Sequence, residues 1–372
     1  MIVGVPKEIK THEYRVGLVP GSVRELSHLG HKVVVQTGAG LGAGFDDKAY
    51  VEAGAEILPH APAVFQAADL IVKVKEPQPS EFEQLKAGQT LFTYLHLAPD
   101  PRQAKELLRI GVTAIAYETV TDAKGRLPLL APMSEVAGRM SVQAGAHHLE
   151  KEQGGAGILL GGVPGVAPAK VVVLGGGVVG SNAARMAIGL GARVTLLDTS
   201  LPRLAELDDH FGASLTTVYA TLDAIERHVV PADLVIGAVL VPGASAPKLI
   251  SRAMLKAMRP GSVLVDVAID QGGCAETSRP TTHAAPTYVE AGVVHYCVAN
   301  MPGAVARTSA QALNNATLPF VLALAGKGTK AALLADSHLL AGLNVHKGML
   351  THEAVAQALA LPYVPPLQAL DQ

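Results

Sequence analysis

The sequence predicts an α/β protein: two Rossmann-like, doubly wound parallel-sheet domains with an active-site cleft between them. Three observations lead there. The chain has 372 residues, more than one ordinary hydrophobic core organises, so two domains of roughly 100 to 200 residues each are expected. Apolar runs rich in Val, Ile and Leu recur, each closed by a polar or breaker cluster and followed by a helix-like stretch. That rhythm belongs to a parallel sheet covered on both faces. Finally, residues 171–198 read VVVLGGGVVGSNAARMAIGLGARVTLLD, a strand, a glycine turn, a helix and a second strand, which is the core of a mononucleotide-binding unit.

The elements fall into two series. Strands are expected at 32–36, 70–75, 90–95 and 113–117, and a second set at 170–174, 193–197, 233–239, 262–267 and 293–298. Between them, the stretch after Pro132 opens on Ser134, a good N-cap, and reads as a connecting helix to Glu150. Residues 309–325 are helix-like again. The remaining tail shows helical pattern at 352–360 but no strand series, and is expected to pack on the first domain. Neither a solenoid repeat nor a low-complexity segment is visible.

Composition narrows the function. With 49% hydrophobic and 17% charged residues, the chain is a compact globular protein. Its formal charge of −2, without long runs of like charge, gives no footprint for nucleic acid or an anionic membrane, so a small-molecule partner is expected. The opening MIVGVPKEIK lacks the basic and apolar regions of a secretory signal, and no uninterrupted apolar window of about 18 residues occurs. A cytoplasmic protein is expected. Cys274 and Cys297 match neither a disulfide framework nor a zinc spacing, so they read as reduced thiols.

Gly175, Gly177 and Gly180 stand in G-x-G-x-x-G register directly after a strand. The first makes the tight turn, the second lets a pyrophosphate approach the backbone, and the third lets helix and strand pack closely. The helix start then offers N–H groups and a positive dipole end to phosphates. Asp198 closes the second strand, where a carboxylate binds ribose hydroxyls and repels a 2′-phosphate, favouring NAD over NADP.

Ligands of parallel sheets bind beyond the carboxyl ends of the strands, so residues ending strands are the candidates for chemistry. In the first domain these are Lys75, His96 and Glu118; in the second, Asp266 and Asp270. Imidazole titrates where moving a proton at neutral pH costs least, which makes His96 a candidate acid/base, against the plainer reading of a surface or capping histidine. Lys75 reads either as a solvated charge alternating with Lys73 or as a clamp on a carboxylate or carbonyl oxygen. Glu118 could cap a turn, and Asp266, inside its strand, reads as structural. Arg15 is by default an exposed charge near a turn, yet a guanidinium is the natural bidentate partner of a substrate carboxylate. Met133 and Cys297 read as packing.

Four separated stretches, VGVPKEIKTHEYRVGLVP, GGGVVGSNAARMAIGLGARVTLLD, DVAIDQGGCAETSRPTTH and VHYCVANMPGAVARTSAQALNNATLP, resemble the alanine dehydrogenase family. That family is related to the NAD-binding subunit of nicotinamide nucleotide transhydrogenase. The resemblance implies a discontinuous catalytic domain of residues 1–133 plus 304–372, with an NAD-binding domain at 134–303 inserted. It implies that Arg15 and Lys75 hold the substrate carboxylate and carbonyl, that His96 is the general acid/base, and that Asp270 activates or orients water and touches the nicotinamide ribose. It further implies NAD contacts at Ser134, Val178, Val179, Asp198, Arg203, Val239, Leu240, Val267, Ala268, Ile269, Arg279, Val298, Ala299, Asn300 and Met301. Some members hold a metal near the position of Glu118 and a C-terminal histidine; Lys327 stands about there, so none is expected. A homohexamer and reversible oxidative deamination of L-alanine are implied as well. The rivals are another amino- or hydroxy-acid dehydrogenase on the same scaffold and a non-catalytic transhydrogenase subunit.

Overall fold

The computed structural model describes residues 1–239 and 246–371. Contacts divide the chain into two compact units, Met1–Met133 with Val305–Gln372, and Ser134–Ala304. In the first, strands β1 (Ile2–Val5), β2 (Lys32–Gln36), β3 (Glu56–Leu58), β4 (Leu70–Val72), β5 (Thr90–Thr93) and β6 (Thr113–Ala116) lie in the order β6-β5-β4-β1-β2-β3, all parallel. Every residue of β4, β5 and β6 is buried, which is why apolar residues run on without alternation, broken only by threonines at the ends of β5 and the start of β6. Helix ends are written locally: for Pro101–Ile110, the Asp100 side chain accepts from the Gln103 N–H, Pro101 starts the helix, and Gly111 ends it at φ +77°.

The second unit repeats the plan. Strands β7 (Lys170–Leu174), β8 (Arg193–Asp198), β9 (Leu215–Tyr219), β10 (Leu234–Gly237), β11 (Val263–Asp266), β12 (Thr287–Glu290) and β13 (Val293–Tyr296) lie in the order β12-β13-β11-β10-β7-β8-β9. Only β12, on one edge, runs antiparallel to its neighbour. The helix Ala131–His148 leads into this unit, starting three residues before the expected N-cap Ser134. The fold class is therefore as expected, two doubly wound α/β sheets.

The tail corrects the sequence reading. Besides helix it contributes β14 (Leu343–His346) and β15 (Met349–Leu350), an antiparallel hairpin added to β6. Asn344 and His346 break the apolar pattern of this strand, yet all four β14 residues are buried. Their polar groups are satisfied in place: Asn344 Nδ2 donates to Thr119 Oγ1 and Gly342 O, and His346 Nδ1 lies 2.9 Å from Thr113 Oγ1. Among the described residues, no helix is long and apolar enough to cross a membrane. Both cysteines are free thiols and buried.

Candidate active site

Each sheet has one point where the winding reverses, and there a crevice opens between the loops leaving two adjacent strands. In the first unit it lies between β1 and β4, in the second between β7 and β10. The residues singled out from the sequence lie on these loops and their neighbours.

In the first unit, Arg15 departs from the default reading of an exposed charge: it is 2% exposed. Its Nε and Nη2 donate to the two oxygens of Glu13 at 2.7 and 2.6 Å, and Nη1 contacts Met133 Sδ at 3.0 Å. Burial works against the guanidinium charge, but the Glu13 bonds outweigh it and raise its pKa. Lys75, half-buried beyond β4, has its pKa lowered, first by burial and then by the charge of Arg15. Two cations within electrostatic reach of each other, one of them destabilised, form a place for an anion.

Lys73, the charge with which a solvated Lys75 would alternate, does not face water either. Lys73 is wholly buried, with Nζ 3.1 Å from Glu8 Oε2 and 2.8 Å from Glu81 Oε1. β4 ends at Val72, so the strand alternation no longer governs Lys73 and Lys75. The other Glu8 oxygen accepts the Val74 and Lys75 N–H groups at 2.6 and 3.4 Å, and Thr93 Oγ1 donates to Lys75 O at 2.9 Å. Side chains thus pin the backbone that carries Lys75.

His96 follows the neighbouring strand β5. Its φ of +49° is rare for a residue with a side chain and signals an imposed conformation. Glu118, at the end of β6, imposes it: its carboxylate accepts the N–H of His96 at 2.6 Å and that of Leu95 at 3.2 Å. Glu118 is thus a holder of the His96 loop as well as part of its own short turn. The imidazole remains 45% exposed and lies parallel to the Tyr94 ring, centroids 5.8 Å apart. Tyr94 is itself fixed by its hydroxyl, which donates to Leu129 O at 2.6 Å.

In the second unit, Gly175 adopts φ +100°, and a methyl at Gly180 would stand 1.8 Å from Gly175 O. That contact is the close strand–helix packing that only glycine permits. The helix Val178–Gly189 begins without a side-chain cap, and the space over Gly177 is open. Asp198 accepts from Gly176 N at 2.6 Å and from Ser200 N at 2.8 Å, leaving carboxylate lone pairs for further donors. Arg203 Nε donates to Gly176 O at 2.7 Å. An uncapped helix start, open space at the second glycine and an acid at the end of β8 fit a dinucleotide.

The remaining expected contacts divide by burial. Ser134, Val178, Val179, Val239, Val267, Ala299, Asn300, Asp270 and Arg279 present surface, whereas the side chains of Ala268, Ile269, Val298 and Met301 are buried, so those four could offer a ligand little beyond backbone. Leu240 lies outside the described residues. Asp266 is structural: its buried carboxylate accepts from Ala268 N, Cys274 N and Ser278 Oγ. Sequence reading misses Glu8, Glu13, Glu81 and Tyr94. Only Glu13 leaves a trace, as the acid of a Glu-x-Arg pair.

Two family models match, the alanine dehydrogenase/PNT N-terminal domain over residues 4–137 and its C-terminal domain over 141–353. The chain belongs to the alanine dehydrogenase/PNT family. Within it, an alanine dehydrogenase of Halomonas elongata is 66% identical over 98% of both chains. A solved L-alanine dehydrogenase is 55% identical, covering 97% of this chain and 99% of that one, with a TM-score of 0.94. A transhydrogenase from Sinorhizobium meliloti, 26% identical with a TM-score of 0.82, covers 94% of this chain and all of its own.

Proposed function

We propose that the chain catalyses reversible oxidative deamination: L-alanine, NAD+ and water give pyruvate, ammonium, NADH and a proton. With 66% identity to an alanine dehydrogenase over 98% of both chains, it is an NAD-dependent alanine dehydrogenase. The observation that carries it is the rim of the first sheet, where an exposed imidazole and two cations stand at the carboxyl ends of adjacent strands, each held in place by a carboxylate.

Arg15, locked flat by Glu13, is suited to face the substrate carboxylate with a planar, fixed guanidinium. Lys75 would donate to the carbonyl oxygen as it develops, with a pKa lowered enough that giving or sharing a proton costs less than for a free lysine. His96 would take a proton as the amine is oxidised and water adds, and return it in the amination direction. Asp270, exposed on the loop after β11, would orient the water or amine. When bound, the nicotinamide would accept the Cα hydride or give it back. Orientation by the two cations would supply much of the rate, since holding reacting atoms near contact distance replaces a collision in solution. The resemblance also supports a cytoplasmic homohexamer, which sedimentation of the purified protein would check.

The test is NADH oxidation with pyruvate, with and without ammonium. Strict ammonium dependence is expected; equal rates without it would mean a hydroxy-acid dehydrogenase. His96→Ala should lower turnover about 10²- to 10⁴-fold while NADH still binds. Near-normal turnover of that variant would remove His96 from the mechanism.

A further inference from the structure

Beyond these roles lies a stack of three side chains at one edge of the second sheet. Tyr288 and His295 face each other across the β12–β13 pair, with ring centroids 4.9 Å apart and 24° between planes. On the Tyr288 ring lies Arg279, its Cζ 3.9 Å from the centroid. The Tyr288 hydroxyl also holds the same arginine by its backbone: it accepts the Arg279 N–H at 2.9 Å and donates to Thr277 O at 2.8 Å.

The base of the stack is rigid and uncharged. His295 is fully buried, and burial lowers its pKa, so it is neutral near pH 7. Val293 O, 2.9 Å from Nδ1, can only accept, which puts the ring proton on Nδ1; Nε2 then accepts from Thr277 Oγ1 at 2.8 Å. Burial likewise raises the Tyr288 pKa, keeping the hydroxyl protonated so that it can donate to Thr277 O.

The top of the stack is charged and open. Arg279 is exposed, and among the described residues no carboxylate lies within ion-pair distance of it. The acid at the end of β12, Glu290, is taken by Arg252. Thr281 pairs with Val298, so the segment carrying Arg279 runs beside the end of β13, next to the 298–301 stretch. An arginine without an acid partner, laid flat on an aromatic ring, has lost rotamer freedom before any ligand arrives.

We propose that Tyr288 is the positioning residue of the cofactor site: by gripping Arg279 through ring and hydroxyl, it presents the guanidinium to the negative charge of the dinucleotide. This rests on the reading of the second unit as the NAD site. The arginine would bind; the tyrosine would act only through it.

The experiment is a cycle of Tyr288→Leu, Tyr288→Phe and Arg279→Met, alone and combined, in the full-length protein, with the NADH dissociation constant read by fluorescence titration at fixed salt. Arg279→Met should weaken NADH. Tyr288→Leu should weaken it about 3- to 30-fold, and Tyr288→Phe, which keeps the ring, about 2- to 10-fold. Neither should add to Arg279→Met, and the KM for pyruvate at saturating NADH should stay near wild type. A merely structural tyrosine would weaken binding to the same extent with or without Arg279. Multiplicative losses in the cycle, or unchanged NADH affinity in both Tyr288 variants, would overturn the proposal. Should the Leu variant fail to fold, the cycle with Tyr288→Phe decides between the same two outcomes. Arg279→Met with wild-type affinity would instead overturn the cofactor role of this arginine.

Discussion

Replacing Lys73 by Met tests whether buried charge holds the substrate rim together. Lys73 is 0% exposed, Glu8 7% and Glu81 1%, so water screens little of their attraction. Methionine fills most of the volume but leaves two carboxylates buried without a cation. Breaking a buried pair by removing one partner costs about 3 to 5 kcal/mol. For a unit of this size each kcal/mol moves Tm by about 2 to 4 °C, so a fall of about 6 to 20 °C is expected. The pH dependence carries a definite sign. Burial lowers the Lys73 pKa but the two glutamates outweigh it and raise it, so its stabilisation is complete at and below neutral pH and lost only above the ordinary lysine range. Glu8 is raised by burial, with Lys73 the main opposing influence. Without Lys73 it rises further, so the folded state holds a proton that the unfolded state releases. The penalty is then absent below the ordinary carboxylate pKa and grows as pH rises toward the folded value. Thermal unfolding followed by circular dichroism should therefore show the Lys73→Met deficit shrinking as the pH is lowered from neutral toward the ordinary carboxylate range. Because Glu8 also anchors Val74 N and Lys75 N, the KM for pyruvate should rise while NADH affinity holds. A Tm within about 2 °C of wild type at neutral pH, or a deficit that grows on acidification, would refute the reasoning.

Arg15→Lys keeps the charge but not the fork: a tetrahedral ammonium cannot pair side by side with the Glu13 carboxylate and a substrate carboxylate at once. The KM for L-alanine should rise about tenfold or more, read in steady-state kinetics, whereas an unchanged KM would show that bidentate geometry is irrelevant there. Gly180→Ala places a methyl 1.8 Å from Gly175 O, forcing the helix Val178–Gly189 away from β7. NADH titration should show affinity reduced at least tenfold, with Tm lowered by several degrees; wild-type binding would contradict the close-packing argument.

The legible part of the site is the part made by neighbours in sequence. The glycine register at 175–180, Asp198 one strand later, and strand-ending residues such as His96 are local patterns, and local patterns carry the strand–helix alternation and the cofactor turn with them. The departures share one cause. Lys73, Arg15 and Asn344 carry groups that ordinarily face water. Each is buried because a segment distant along the chain, or in the Arg15 case a carboxylate two residues away turned inward, supplies its partner.

What the sequence determined by itself is the alternation of strand and helix, the placing of glycine where backbone must approach backbone, and the chemical types available at the strand ends. Those follow from steric and hydrophobic demands that act within a few residues. The tertiary structure alone decided which charges are dry. Glu8 and Lys73 meet across 65 positions, and Tyr288 comes under Arg279 in the folded edge of the second sheet, where β12 turns back along β13. Desolvation and pairing are properties of three-dimensional neighbourhoods, so the rigidity of the rim, the lowered pKa of Lys75 and the imposed conformation of His96 arise only once the chain has closed on itself.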